Sequence, residues 1–216
     1  MTAETRLRVS EIFHSLQGES TRVGLPTVFV RLTGCPLRCD WCDTGHAFAG
    51  GEWMTVAEIL RRVAAFECPT VCVTGGEPLA QKPCLDALTA LCDAGYSVSL
   101  ETSGALEIAE VDPRVARIVD LKAPDSGESG RNLWSNLDHL RPADELKLVL
   151  ASEDDYRWAV RQLRERRLDS RCPVLFSPVA GRLEPARLAE WILRDRLPVR
   201  FQLQLHKLLW GDARGR

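Results

Sequence analysis

Apolar runs alternate with amphipathic segments along nearly the whole chain. The runs are short and mostly rich in β-branched residues, which is typical of strands. They cover Leu7–Phe13, Thr27–Thr33, Thr70–Thr74, Tyr96–Glu101, Arg117–Leu121, Glu145–Leu150, Pro173–Ser177 and Val199–Leu205. Helical patterns lie between these runs. The first begins after a capping box of Thr55 and Glu58 and ends near Phe66. The others cover Ala80–Ala94, Leu133–Leu140, Ser152–Arg167 and Pro185–Asp195.

This alternation of strand and helix predicts an α/β fold with parallel strands joined by right-handed crossovers. The chain has about six such units, which is fewer than the eight of a closed barrel. The pattern therefore predicts a partial (β/α)6 TIM-like barrel. We expect one domain over residues 1–216, with the segment Ala123–Arg131 its most mobile loop and Asp212–Arg216 a frayed tail.

Polar residues gather where the predicted strands end. These residues are Thr74, Glu101, Asp120, Lys122, Ser177 and His206. Because ligands bind at the carboxyl ends of the strands in β/α folds, we expect the functional site there.

The cysteine loop, Gly34–Thr44, follows the strand Thr27–Thr33 and carries three cysteines at C-x3-C-x2-C spacing. Cys35, Cys39 and Cys42 could hold three irons of a 4Fe-4S cluster and leave the fourth iron open. A zinc site closed by His46, or three structural thiols, are the alternatives for this loop. The other cysteines are more simply explained as small buried hydrophobic residues.

Composition excludes several classes of protein. With 28 basic and 30 acidic residues, the net charge of −2 argues against binding nucleic acid directly through bulk electrostatics. No apolar run approaches the length of a membrane span, and the N-terminal residues contain charges without an apolar signal region. We therefore expect a cytoplasmic protein with reduced cysteines and no membrane contact.

Two motifs together resemble the radical S-adenosylmethionine superfamily. The first is the cysteine loop with Trp41 just before its third cysteine, and the second is Gly75–Pro78 (GGEP) after a buried strand. By itself, GGEP could be an ordinary strand-to-helix turn. The resemblance implies that the cysteines hold a 4Fe-4S cluster and that its open iron binds S-adenosylmethionine, which is cleaved to a 5'-deoxyadenosyl radical. It also implies cofactor contacts from Trp41, Cys42, Asp43, Gly76, Asp120, Leu121, Lys122, Ser177 and Pro178.

Three further features have both a structural and a functional interpretation. The loop Leu16–Glu19 (LQGE) could be ordinary surface, or it could reach over the site and pair with a guanine-like or pterin ring. Arg31 could form an ion pair at the barrel rim, or it could clamp a substrate carboxylate. His206 closes an alternating polar face with Gln202 and Gln204, and either a structural role or substrate contact fits it.

Thr44 directly follows Cys42 and Asp43 at the end of the cysteine loop. Its hydroxyl could simply end the loop, or it could bind Mg2+, which takes few protein oxygens and completes its shell with substrate oxygens and water.

The motifs LQGE, VRLTGCPLRCDWCDT, VTGGEP, LETSG, DLKAP, ELK and QLHK, taken together, resemble the 7-carboxy-7-deazaguanine synthases of the queuosine pathway, from about Val9 to Gly211. The resemblance implies a lyase that contracts 6-carboxy-5,6,7,8-tetrahydropterin to 7-carboxy-7-deazaguanine with loss of ammonia. S-adenosylmethionine would be regenerated and Mg2+ at Thr44 would assist. A homodimer and an electron donor such as a flavodoxin are implied as partners. Substrate contacts would come from Leu16, Gln17, Gly18, Glu19, Arg31, Thr74 and His206.

Two departures from the family pattern stand out. Leu205 replaces a usual threonine before His206, and the residues from Asp212 onward extend past the usual end. No side chain is an obvious acid or base.

The alternative functions are a radical activase acting on a partner protein, an electron carrier or sensor with a 4Fe-4S cluster, and a structural zinc domain.

Overall fold

The computed structural model describes residues 5–211 and 213–215. The predicted frayed tail therefore falls partly outside the described residues, at Asp212 and Arg216. The strands are β1 Arg6–Leu16, β2 Pro26–Leu32, β3 Glu52–Thr55, β4 Thr70–Gly75, β5 Ser97–Thr102, β6 Ala116–Asp120, β7 Glu145–Leu150, β8 Val174–Pro178 and β9 Arg200–Phe201. The α-helices are α1 Val56–Ala64, α2 Cys84–Asp93, α3 Glu153–Glu165, α4 Pro185–Arg194 and α5 Leu205–Trp210.

One open sheet contains all these strands in the order β3-β1-β2-β4-β5-β6-β7-β8-β9. Strands β2 and β4–β9 pair in parallel, whereas β1 pairs antiparallel with both β2 and β3. Six parallel strands have five residues or more, and β9 adds two residues at the edge. The predicted partial (β/α)6 barrel is confirmed.

The two faces of the sheet have opposite chemistry. Side chains that face the helices are apolar and form the core, as Val28, Val30 and Leu32 do on β2. The alternate positions face the barrel interior, where β2 carries Arg31 and β7 carries Lys147. The parallel strands are thus not apolar throughout, because their inner face is a polar site rather than a second core.

Local sequence signals set the helix starts. The Thr55 hydroxyl accepts from the Glu58 N–H at 3.1 Å, and the Glu58 carboxylate accepts from the Thr55 N–H at 2.8 Å, so the predicted capping box is confirmed. The Ser152 hydroxyl caps α3 by accepting from the Asp155 N–H at 3.2 Å, without the reciprocal bond of a capping box.

Two predicted helices were wrong or shifted, and one strand was missed. The segment predicted as a helix at Leu133–Leu140 is a 3-10 helix over Trp134–His139. The helix predicted from Ala80 begins at Cys84, after a separate 3-10 turn at Pro78–Ala80. Strand β3 was not predicted; it adds Glu52–Thr55 to the free edge of β1.

Of the predicted strand Val199–Leu205, only Arg200–Phe201 forms a strand, which is β9. Beyond Phe201 only the Gln202 N–H still donates to β8, at the Phe176 carbonyl (3.0 Å), and the chain then turns to the β1–β2 loop. The Gln202 side chain donates to the Ser20 carbonyl at 3.0 Å, and the Leu205 N–H donates to the Gly18 carbonyl at 2.9 Å. His206 consequently lies in α5 and not at a strand end.

The segment Ala123–Arg131, predicted to be the most mobile loop, contains two 3-10 turns. Its Ser126 carbonyl accepts from the Asp40 N–H at 3.1 Å, and its Glu128 carboxylate accepts from the Arg38 N–H at 2.5 Å. These bonds hold it against the cysteine loop. Among the described residues, no helix combines the length and apolarity needed to cross a membrane.

A buried ion network at the amino-terminal ends of β6 and β7 should contribute strongly to stability. Asp144 is fully buried and accepts from the Arg117 backbone and guanidinium and from Arg141. Burial raises the pKa of this carboxyl, but its hydrogen bonds to both arginines outweigh burial and hold the pKa below the usual 3.8. We expect Asp144→Asn to lower the free energy of unfolding at pH 7 by roughly 3 kcal/mol, because Arg117 is left buried without a counter-charge.

Urea unfolding at several pH values checks this prediction. A depressed carboxyl pKa contributes stability above the unfolded pKa and loses it as pH falls through the folded pKa, so the variant should lose this acid dependence. Asp138→Asn is the control, because Asp138 forms an exposed ion pair with Arg171. A loss for Asp144→Asn no larger than the control's would contradict the prediction.

Candidate active site

A cavity of about 310 Å³ opens at the carboxyl ends of the strands. Its walls come from the cysteine loop, from the inner face of β2 and β4–β7, from the β1–β2 loop and from α5. These are the regions where sequence analysis placed the site. Parallel strands bring their carboxyl ends to one edge, which is why residues far apart in sequence meet here.

The cysteine loop forms one wall. Cys35 and Cys39 are half-buried, Cys42 is exposed, and all three are free thiols that line the cavity. The loop is folded locally, since the Cys42 N–H donates to the Cys39 carbonyl at 3.1 Å. Burial raises the pKa of the Cys35 and Cys39 thiols, although the nearby Lys122 ammonium opposes this.

The three free thiols suit a 4Fe-4S cluster, which takes one cysteine for each of three irons. Among the described residues, no group of three His, Cys, Asp or Glu side chains gathers closely enough to hold one metal ion. A 4Fe-4S cube binds each cysteine to a different iron and so needs thiols spaced around its corners. His46, the candidate fourth ligand of the alternative zinc site, has its Nε2 3.4 Å from the Glu11 carboxylate.

Gly76 of the GGEP turn packs directly beneath the cysteine loop. A Cβ at this position would lie 2.3 Å from the Gly34 carbonyl oxygen and 2.7 Å from the Cys35 Cβ. Only glycine therefore lets the two loops meet. The next residue, Glu77, is fully buried and accepts from the Thr102 hydroxyl and from the Ser103 backbone and hydroxyl, so it joins the GGEP and LETSG motifs.

The β1–β2 loop enters the barrel from the side opposite to the one predicted. Thr21 donates to the Glu145 carboxylate at the start of β7, and Arg22 donates to Ser97 at the start of β5. The loop thus closes the amino-terminal end of the barrel rather than reaching over the site. Its residues Leu16–Glu19 still line the cavity, but as the floor.

A chain of four charges runs from Glu19 in this floor to the carboxyl end of β6. Lys147 on β7 contacts the Glu19 carboxylate at 2.5 Å and Asp120 at 3.5 Å, and Lys122 contacts Asp120 at 3.0 Å. Burial would raise the pKa of Glu19, but the charge and hydrogen bonds of Lys147 and the Gln204 amide outweigh it and lower that pKa to about 2. Burial likewise opposes the charge on Lys147, yet Glu19 and Asp120 raise the Lys147 pKa well above its usual value. Both groups therefore stay charged across the neutral range.

Glu101 accepts hydrogen bonds from neutral donors. The Thr74 hydroxyl donates to its Oε2 at 2.8 Å and the Gln17 amide donates to its Oε1 at 3.3 Å. Each Glu101 oxygen can accept more than one hydrogen bond, so this carboxylate keeps acceptor capacity for a ligand.

The remaining predicted contact residues pack against or bind other residues of the site. His206 packs on Gly18, where a Cβ would lie 2.2 Å from its Nδ1, so glycine is required. The Thr44 hydroxyl donates to Asp43 at 2.8 Å, and Lys207 lies 3.5 Å from the other Asp43 oxygen. For Arg31 the structural interpretation is observed, because its Nε donates to Glu11 at 2.7 Å, while the side chain also lines the cavity.

All but three of the predicted site residues line this one cavity. The exceptions are Leu121, Ser177 and Pro178, which are buried and do not line it. Leu121 belongs to the core, and the buried Ser177 hydroxyl makes no hydrogen bond to the described residues. Lys147 was not predicted as a site residue, although a charged residue inside the apolar run ELKLVL was a signal that one side of this strand is polar.

Comparison with known proteins identifies the family. Residues 29–123 match the Radical SAM superfamily. The 7-carboxy-7-deazaguanine synthase of Chlorobaculum tepidum is 51% identical over 100% of both chains, and that of Koribacter versatilis is 41% identical over 94% of this chain and 97% of the relative. The chain belongs to the 7-carboxy-7-deazaguanine synthase family. The crystal structure of QueE from Escherichia coli has the same fold, with a TM-score of 0.77, 24% identity and coverage of 93% and 95%.

Family membership confirms the resemblance drawn from the motifs. The superfamily match covers both the cysteine loop and GGEP, and it supports a 4Fe-4S cluster and S-adenosylmethionine as cofactors of this synthase family member. The full-length relatives are synthases, which favours this activity over the activase alternative.

Proposed function

We propose that the protein contracts 6-carboxy-5,6,7,8-tetrahydropterin to 7-carboxy-7-deazaguanine with release of ammonia, in the queuosine pathway. One observation carries the proposal: a single cavity holds both the three loop thiols and a polar floor able to orient a hydrogen-bonding ring. A site built this way rejects ring analogues strongly, because its buried polar groups would be left unpaired.

The cysteine loop forms the side of the cavity that would hold the cofactors. Cys35, Cys39 and Cys42 would hold the 4Fe-4S cluster, and when bound, the cluster with S-adenosylmethionine supplies the radical that begins the reaction. S-adenosylmethionine would be contacted by the cavity residues Trp41, Cys42, Asp43, Gly76, Asp120 and Lys122. Leu121, Ser177 and Pro178 would support these contacts from behind the wall.

The floor and the residues beside it form the side of the cavity that would bind the pterin. Glu101, with Thr74 and Gln17 as its donors, offers acceptors to the amino and ring N–H groups of the pterin. Leu16, Gly18, Glu19 and His206 shape the floor beneath the ring. Arg31 would receive the substrate carboxylate, and Thr44 would hold Mg2+ beside it.

The charged floor orients the substrate rather than exchanging protons with it. A carboxyl with a pKa of about 2 next to a lysine with a raised pKa gives neither a ready base nor a ready acid near neutral pH. Their contribution is fixed charge in a buried site, which positions the ring and the radical's target hydrogen. We assign no side chain as acid or base.

We also propose, on the family resemblance, that the protein works in the cytoplasm as a homodimer, takes electrons from a donor such as a flavodoxin and does not bind nucleic acid directly. The small net charge of −2 supports the last point.

The test is an anaerobic assay of the reconstituted protein with dithionite, S-adenosylmethionine, Mg2+ and the pterin. We expect 7-carboxy-7-deazaguanine by mass spectrometry, and none when S-adenosylmethionine is omitted. Cleavage of S-adenosylmethionine to 5'-deoxyadenosine without this product would reject the substrate but keep the radical chemistry. Absence of both in protein with a full cluster would reject the proposal altogether.

A further inference from the structure

An ion pair stands at the rim of the cavity, between its wall and solvent. Arg31 on β2 and Glu11 on β1 are direct cross-strand partners, and the Arg31 Nε donates to the Glu11 carboxylate at 2.7 Å. Their side chains are 18% and 23% exposed. Arg31 lines the cavity, whereas Glu11 stands behind it and is not part of the wall.

The contacts of Arg31 leave one edge of its guanidinium open. Within residues 5–211 and 213–215, its only hydrogen bond is the one from Nε, so both terminal nitrogens keep their donors. The guanidinium carbon lies 5.8 Å from the Phe13 ring centroid, and Phe13 stacks on Phe29 at 5.0 Å. The bond to Glu11 directs the guanidinium by its Nε, and the Phe13 ring lies within cation–π distance of it.

Glu11 is itself held from a second side. The His46 Nε2 lies 3.4 Å from the same Glu11 oxygen that accepts from Arg31. The same Glu11 oxygen thus contacts both Arg31 and His46, which restrains the carboxylate beside the arginine.

We infer that Glu11 is a positioning residue, which holds Arg31 by its Nε so that the two terminal nitrogens face the cavity and receive the substrate carboxylate. A guanidinium binds a carboxylate best through two parallel N–H bonds, and this geometry depends on its orientation. The inference rests on the proposed function, because it takes the pterin carboxylate as the ligand of Arg31.

The experiment compares two ligands that differ only in that carboxylate. Affinities of 6-carboxy-5,6,7,8-tetrahydropterin and of 5,6,7,8-tetrahydropterin are measured by anaerobic titration calorimetry on the cluster-loaded protein with S-adenosylmethionine and Mg2+. We expect Glu11→Gln to lower the affinity for the carboxylated ligand about tenfold and to leave the affinity for the other ligand unchanged, since only the charge-assisted contact loses its geometry.

Two further variants make the result specific. Glu52→Gln removes another strand carboxylate that pairs with an arginine, Arg62, at 2.8 Å, but away from the cavity, and should change neither affinity. In an Arg31→Met background, Glu11→Gln should cause no further loss, because its effect passes through Arg31.

Several results would overturn the inference. Equal weakening of both ligands would show a general structural role for Glu11, and a loss that persists without Arg31 would show a separate one. If the wild-type protein forms the deazaguanine product while Glu11→Gln binds both ligands normally, this inference fails and the proposed function stands. If the wild-type protein neither binds nor converts the pterin, both fail.

Discussion

Cys39→Ala should abolish formation of 7-carboxy-7-deazaguanine while the protein stays folded. Cys39 lines the cavity at the middle of the cysteine loop, and its side chain makes no hydrogen bond to the described residues that the fold would miss. With two thiols left, the loop cannot hold three irons, so iron and sulfide content should fall with activity. Product formation should drop by at least about 10²-fold, more than the loss expected when an outer-shell partner of a metal ligand is removed.

The matched control is Cys92→Ala. Cys92 is also a half-buried free thiol, but it lies on α2 away from the cavity. Its replacement should leave iron content, visible absorption and product formation unchanged. Full activity and iron content in Cys39→Ala would refute the role of this loop, whereas equal losses in both variants would point to general damage from removing a thiol.

The fold could be predicted because each element carries its own signal. Runs such as Thr70–Thr74 are apolar enough to be strands, and the residues at their carboxyl ends meet because parallel strands end at the same edge. The cysteine loop and the GGEP turn could be placed for the same reason. Both directly follow strands, so the order of the strands determines which loops become neighbours.

What could not be predicted depends on contacts between distant parts of the chain. The run Val199–Leu205 has a strand-like pattern, but the amide of Gln202 and the N–H of Leu205 bind the β1–β2 loop more than 180 residues away. The direction of that loop is likewise set by Glu145 and Ser97, which its own sequence does not reveal. Local pattern describes a strand or a loop, and tertiary hydrogen bonds decide where it goes.

Lys147→Met should cause the largest loss of stability, because it leaves the buried Glu19 carboxylate without its counter-charge. The two side chains are each 12% exposed and in contact at 2.5 Å. Breaking a buried pair by removing one partner typically costs roughly 3–5 kcal/mol, so the unfolding midpoint in urea at pH 7 should fall clearly. Since Glu19 lies in the cavity floor, formation of product should fall as well.

The pH dependence separates this cause from a packing defect. In the wild-type protein, the pKa of Glu19 is lowered to about 2, so its contribution is present above its usual pKa of 4.5 and is lost as pH falls towards 2. In Lys147→Met, burial should instead raise that pKa, which makes the penalty largest at neutral pH. The stability difference between the two proteins should therefore shrink as the pH is lowered from 7 to about 3.

A double variant and a control complete the test. Glu19→Gln combined with Lys147→Met should recover part of the lost stability, since no unpaired charge remains at this position. Lys82→Met removes an exposed lysine outside the cavity and should have little effect at any pH. A pH-independent loss that Glu19→Gln does not relieve would mean that the Lys147 side chain contributes packing rather than charge, and the floor would then have to orient the substrate by shape alone.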